Sequence, residues 1–239
     1  MSDIGIVIGV GASNGLGAAV ARRYAVGGLR VLVAGRTAAK VGQVAEEIRA
    51  AGGTAEPRVC DVTDAAQVDA LFAGASDPVK AVVYNAGNNR RIAFADLDAA
   101  TFEDFWRVGC LGGFHTAKAA IPSLLKAGGG SLIFTGASAS MRGRPYFAHF
   151  AAAKAGLRSL AQAVAREYGS QGVHVGHVVV DGVIDGEIVR NRLASYLEQL
   201  GEDGALNPDD MADAFWNLHT QPRSTWTHEI DLRPFKETW

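Results

Sequence analysis

Three glycines, Gly11, Gly15 and Gly17, break an apolar run that begins at Ile4, and a stretch of helical period follows from Leu16. Glycines at this spacing let a backbone close on an anion. Gly11 fits a tight strand-to-helix turn, Gly15 leaves no Cβ in the path of a phosphate, and Gly17 lets the helix lie close on the strand. The first N–H groups of that helix and the positive end of its dipole then face a pyrophosphate. The same residues can also simply close a strand-to-helix connection, so the turn by itself leaves both readings open. A second set of reactive groups lies in and before a long Ala-rich stretch: Ser138, Tyr146, His149 and Lys154. Asp181 follows a Val-rich run further on. Each of these side chains can give or take a proton if it reaches a cleft.

The elements that must carry these groups are legible as alternating patterns. Short Val- and Ile-rich runs predict strands at about residues 5–10, 30–34, 54–60, 80–84, 131–135, 174–180 and 227–232. Small and apolar residues at i, i+3 and i+4 predict helices over residues 38–50, 65–72, 114–125 and 147–168. Gly52-Gly53 and Gly128-Gly129-Gly130 stand where C-capping glycines precede a strand. Strand and helix in alternation predict an α/β fold, a Rossmann-type doubly wound parallel sheet of about seven strands, with residues 1–239 as one domain. At 239 residues, 48% of them hydrophobic, the chain can bury a full core. A formal net charge of -2 with scattered Lys and Arg favours neither nucleic acid nor an anionic membrane as a partner. Two cysteines, Cys60 and Cys110, are too few for a disulfide framework. No cationic leader precedes the first apolar run and none of the runs reaches the roughly 18 residues of a membrane span, so a cytoplasmic location is expected.

Gly11-Ala-Ser-Asn-Gly15-Leu-Gly17, Cys60-Asp61-Val62, Asn85-Ala86-Gly87 and Lys154 in a long Ala-rich helix together resemble the short-chain dehydrogenase/reductase family over nearly the whole chain. The resemblance implies that Gly11, Ser13, Asn14, Gly15, Leu16 and Gly17 hold a dinucleotide pyrophosphate. It places Asp61 and Val62 along the adenine and Asn85, Ala86 and Gly87 along the adenosine ribose, with Val183 and Ile184 beside the nicotinamide. An acid ending the second strand usually selects NAD, by accepting hydrogen bonds from both ribose hydroxyls. Here that strand ends Ala34-Gly35-Arg36-Thr37. Arg36 offers a permanently charged fork suited to a 2′-phosphate, which favours NADP over NAD unless Arg36 is an ordinary surface residue. The resemblance implies a small-molecule substrate, no metal, and a homodimer or homotetramer.

At the catalytic positions the resemblance fails. The family places a Tyr four residues before the helix Lys, a Ser thirteen before that Tyr, and an Asn on an earlier helix. Counting from Lys154, those positions hold Phe150, Ala137 and Gly109, and Gly143 keeps the intervening segment in register. A phenyl ring transfers no proton, and an alanine methyl cannot hold a substrate oxygen. Lys154 keeps a role toward the nicotinamide ribose that needs no tyrosine. Among substitutes, Ser138 follows the serine position but is expected to turn toward the backbone, and Tyr146 can lean over the cleft. His149 is expected to meet a neighbour or solvent, and Asp181 to accept backbone N–H bonds. Trp226, Phe235 and Trp239 near the last strand suit either an interface or the core. Two functions stay open: an oxidoreductase with a degenerate catalytic set, or a silent NADP(H)-binding protein acting through a partner.

Overall fold

β-branched runs and Ala-rich segments build one seven-stranded sheet in the computed structural model, which describes residues 2–87 and 89–237. The strands are β1 (Ile4–Ile8), β2 (Arg30–Gly35), β3 (Ala55–Val59), β4 (Val79–Tyr84), β5 (Gly130–Thr135), β6 (Val173–Val180) and β7 (Glu229–Leu232). The helices are α1 (Leu16–Val26), α2 (Ala38–Ala50), α3 (Ala65–Ala73), α4 (Ala99–Trp106), α5 (Gly112–Lys126), α6 (Ala148–Tyr168), α7 (Glu187–Arg192), α8 (Ala194–Leu200) and α9 (Pro208–Thr220). Neighbouring strands all pair in parallel, in the order β3-β2-β1-β4-β5-β6-β7. Parallel neighbours need crossovers, so helices cover both faces.

Alternate residues of each strand feed two cores. Val7, Val33 and Val83 pack with Tyr24 of α1, Val44 of α2 and Phe215 of α9. Ile6, Leu32 and Val82 face the other way, toward Leu71 of α3, Leu124 of α5 and Leu157 of α6. Strand order reverses between β1 and β4, and a crevice outside the carboxyl ends of the strands at that point is where such sheets take ligands. The glycine turn and the Asn85 loop both leave strands there.

Several elements differ from expectation. β1 stops at Ile8, because Gly9 turns at φ +88 and a Cβ on it would lie 2.4 Å from the Ala86 nitrogen. The left-handed turn therefore sits at Gly9, and Gly11 has neither a left-handed backbone nor a neighbour within 4 Å of its Cβ direction. α9 was not anticipated, although its signals stand in the sequence. Asn207 caps it by accepting from the Asp209 N–H at 2.8 Å, Pro208 opens it, and Met211, Ala212, Phe215 and Leu218 form its buried stripe. α4, α7 and α8 are likewise additional, and residues Arg107–Leu111 form a π turn between α4 and α5. Within that turn the Val108 carbonyl accepts from the buried Tyr84 hydroxyl. Among the described residues no helix is long and apolar enough to cross a membrane.

Candidate active site

The cradle is built where β1, β2 and β4 end. Gly9 and Val10 donate to the Ala34 carbonyl, each at 2.9 Å. Asn85 donates from its backbone to Ile8 at 2.8 Å and from its amide to the Gly9 carbonyl at 3.3 Å, which fixes the turn against β4. A Cβ on Gly17 would lie 3.0 Å from both the Asn85 amide nitrogen and the Gly9 oxygen, so α1 reaches this close only as glycine. A Cβ on Gly15 would meet only the Ala12 oxygen, at 3.2 Å, and otherwise points into open space. Among the described residues the N–H groups of Leu16 and Gly17, at the start of α1, have no acceptor. Free donors, a bare glycine and the dipole of an eleven-residue helix fit a pyrophosphate.

The flanking side chains divide differently from expectation. The Ser13 hydroxyl donates to Glu47 at 2.6 Å, and the Asn14 side chain accepts from the Glu187 N–H at 3.0 Å. Both side chains are engaged by α2 and α7, and the Ser13 carbonyl accepts from Arg22 at 2.8 Å, which leaves their backbone N–H groups for a ligand. Arg36 stands exposed past the end of β2 with no hydrogen bond or ion pair among the described residues. The Asp61 carboxylate accepts from the Thr63 N–H and hydroxyl at 2.9 and 2.8 Å, shaping the turn after β3. Val62 is buried against Gly112 of α5, so its side chain serves the core rather than an open slot. Val183 accepts from the Leu206 N–H at 2.8 Å, and Ile184 packs on the core beside Leu206.

Lys154 is brought in by α6. Its ammonium is buried, donates to the Thr135 carbonyl at 2.7 Å, and would lie 3.3 Å from a Cβ on Gly87. It therefore bridges the ends of β4 and β5. Burial pulls its pKa down to about 8. The Phe150 ring lies one helical turn earlier, 5.9 Å from the ammonium. Ala137 is buried in the strand-like segment after β5. At Gly109 a Cβ would come within 2.7 Å of the Ala153 Cβ, so α6 occupies the room a larger side chain needs.

Of the substitutes, Ser138 is half-buried and its hydroxyl makes no hydrogen bond among the described residues, not even the backbone bond expected of it. His149 meets a neighbour: it is wholly buried, edge-on to Phe105 at 4.2 Å, and burial lowers its pKa. Asp181 is buried as a structural acid, but its partner is the Arg142 guanidinium, at 3.1 and 3.2 Å, rather than backbone amides. Tyr146 stands 44% exposed with the Arg91 guanidinium 3.7 Å over its ring. Sequence reasoning missed Ser140, His177, Glu229 and Arg158. Ser140 accepts from the Ala137 N–H at 3.1 Å and lies 3.4 Å from His177 Nε2. His177 Nδ1 meets Glu229 at 2.9 Å, and Arg158 grips Glu229 through two contacts of 2.7 Å. With the carboxylate on Nδ1, Nε2 is the acceptor and the Ser140 hydroxyl donates to it. Burial pushes the His177 pKa down to about 4, while Arg158 holds the Glu229 carboxyl below its usual range. An imidazole in the middle of a Val-rich strand was the available signal. In the tail, Trp226 stacks flat on His174 at 4.8 Å, Phe235 is exposed, and Trp239 lies outside the described residues.

The family model for short chain dehydrogenases matches residues 5–196. The chain belongs to this family. A solved short-chain dehydrogenase from Rhodopseudomonas palustris is 31% identical to this chain, with 98% of this chain and 99% of that one covered, and superposes with a TM-score of 0.84. A metagenomic short-chain oxidoreductase solved in complex with NADP is 27% identical, with 97% of each chain covered and a TM-score of 0.80. A hexahydro-1H-indene-carboxyl-CoA reductase of Mycobacterium tuberculosis is 32% identical over 178 residues, which are 72% of this chain and 68% of that reductase. The chain thus keeps a seven-stranded parallel sheet with a glycine turn after its first strand, and Phe150, Ala137 and Gly109 lie around the Lys154 helix.

Proposed function

We propose that residues 1–239 form one dinucleotide-binding domain that holds NADP(H), assembles as a homodimer or homotetramer, and moves hydride to or from a small organic substrate. The observation that carries this reading is the buried Lys154 ammonium, set between Gly87 and Thr135 at the carboxyl edge of the sheet. A charge desolvated there is costly unless its donors are satisfied, and the Thr135 carbonyl takes one of the three on Lys154, which supports a ligand meeting the rest. The start of α1 would take the pyrophosphate, and the unpaired Arg36 supports a 2′-phosphate, as does the NADP complex of the metagenomic relative. Lys154 has donors left for the ribose hydroxyls. When bound, the nicotinamide supplies or accepts the hydride.

Phe150 and Ala137 offer no proton for a developing alkoxide, so this pocket suits a cationic iminium or an activated alkene better than a ketone. Space at Gly109, closed by Ala153, supports the second reading, a silent NADP(H) binder acting through a protein partner. The test is a titration with NADPH and NADH followed by turnover assays on ketones, imines and enones. Tight NADPH binding with imine or enone reduction is expected of the enzyme. Tight binding with no turnover of any class selects the silent binder, and absence of NADPH binding rejects both.

A further inference from the structure

The loops leaving β4 and β5 start beside the Lys154 ammonium, at Gly87 and Thr135, and they carry Arg90, Arg91, Arg142 and Arg144. Residues 85–95 and 136–149 contain no Asp or Glu, in a chain whose formal net charge is -2. Asp181 neutralises Arg142. Among the described residues the other three guanidiniums have no ion pair. Positive charge collected at one cleft mouth focuses its field on whatever enters.

Two features show that the mouth is built. The Ile92 N–H donates to the Tyr146 carbonyl at 3.0 Å, tying the two loops together. The Arg91 guanidinium lies 3.7 Å over the Tyr146 ring, and Tyr146 holds φ +71, a backbone state that an aromatic residue rarely takes. Such strain persists only where the surroundings over-determine it, and it collects at ligand clamps. Stacking fixes the plane of the guanidinium and leaves its edge donors free for a planar or tetrahedral oxyanion. On the proposed reading a dinucleotide's pyrophosphate takes the start of α1, which leaves these arginines open to a different anion.

Resting on the reading of the Lys154 cleft as the reaction site, we propose that the substrate carries an oxyanion group set off from its reacting carbon, a carboxylate or a phosphate, held at the mouth by Arg91 on Tyr146 and by Arg144. Arg144 is exposed and its side chain makes no hydrogen bond, ion pair or ring contact among the described residues, so Arg144→Ala removes charge at little cost to the fold.

The test compares charged and neutral partners by calorimetry, on the free protein and with NADP⁺ saturating. One pair is 4-oxopentanoate and its methyl ester. The other is acetoacetyl-coenzyme A and the acetoacetyl thioester of N-acetylcysteamine. The charged member of at least one pair should bind about tenfold tighter or more, and that advantage should shrink in about 0.5 M salt. The advantage should also fall in Arg144→Ala and vanish in Arg91→Met with Arg144→Ala, with NADPH affinity unchanged. Which pair responds separates carboxylate from phosphate. Charged and neutral probes binding alike in both pairs, or neither charged probe binding, overturns the proposal, whereas loss of NADPH binding alone strikes the cofactor reading instead.

Discussion

In the proposed reading a single side chain, Arg36, sets cofactor preference. No acid stands at the end of β2, and the guanidinium is exposed and unpaired among the described residues. A charge-assisted bond to a 2′-phosphate is lost when it is removed, so Arg36→Ala should weaken NADPH binding by about 1 to 3 kcal/mol and leave NADH unchanged. Calorimetric titration of both cofactors checks this, and an equal loss for both would refute the assignment. Phe150 and Ala137 make the second single-residue case. Phe150→Tyr with Ala137→Ser returns a phenol beside the Lys154 ammonium, whose charge favours the phenolate, and returns a donor to the substrate oxygen. Ketone reduction should rise, within the roughly 10²- to 10⁴-fold that general acid catalysis supplies, in a steady-state comparison with the wild type. No gain despite tight NADPH binding would favour the silent binder. Fast ketone reduction by the wild type would contradict the argument from the missing groups.

The start of α1 shows how an element divides one motif into separate duties. A Cβ on Gly15 would meet a single backbone atom, the Ala12 oxygen at 3.2 Å, whereas Gly17 is pressed between Asn85 and the Gly9 carbonyl, each at 3.0 Å. Gly15→Val should therefore fold with a melting temperature near that of the wild type and lose dinucleotide binding. Gly17→Val should lower the melting temperature, because a side chain there must push α1 off the sheet. Thermal melts and NADPH titrations of the two variants separate these effects. A Gly15→Val protein that binds NADPH at native affinity would place the phosphate site elsewhere. Ser13 and Asn14 belong to the same element argument: their hydroxyl and amide tie the turn to Glu47 and to α7, so the cradle is a joint between elements as well as a seat for a ligand.

Over the whole molecule, buried imidazoles tie stability to pH. His177 and His219 are neutral in the fold, burial pushing both down to about 4 from an ordinary 6.5, while unfolding frees them to take a proton near 6.5. Between those values the unfolded chain binds more protons, so stability is full above about pH 6.5 and falls as pH drops toward 4, by roughly 2 to 5 kcal/mol for the two. Urea melts at several pH values check it, and His219→Gln should flatten the slope. A stability unchanged across that window would show that these rings titrate alike in both states. The sequence by itself determined the parallel α/β layering, because β-branched runs and helical periods are local patterns. It also determined where glycines follow the first strand and that Phe150 and Ala137 stand before Lys154, because each is a residue at a fixed spacing. α9 was written there too, in Asn207, Pro208 and an apolar stripe, and went unread. Tertiary structure alone decided that Gly9 takes the left-handed turn, that Asp181 pairs with Arg142, and that Ser140, His177, Glu229 and Arg158 form one polar chain. Those pairings join residues far apart in the chain, and a buried charge or hydroxyl takes whichever partner the packed elements bring within about 3 Å.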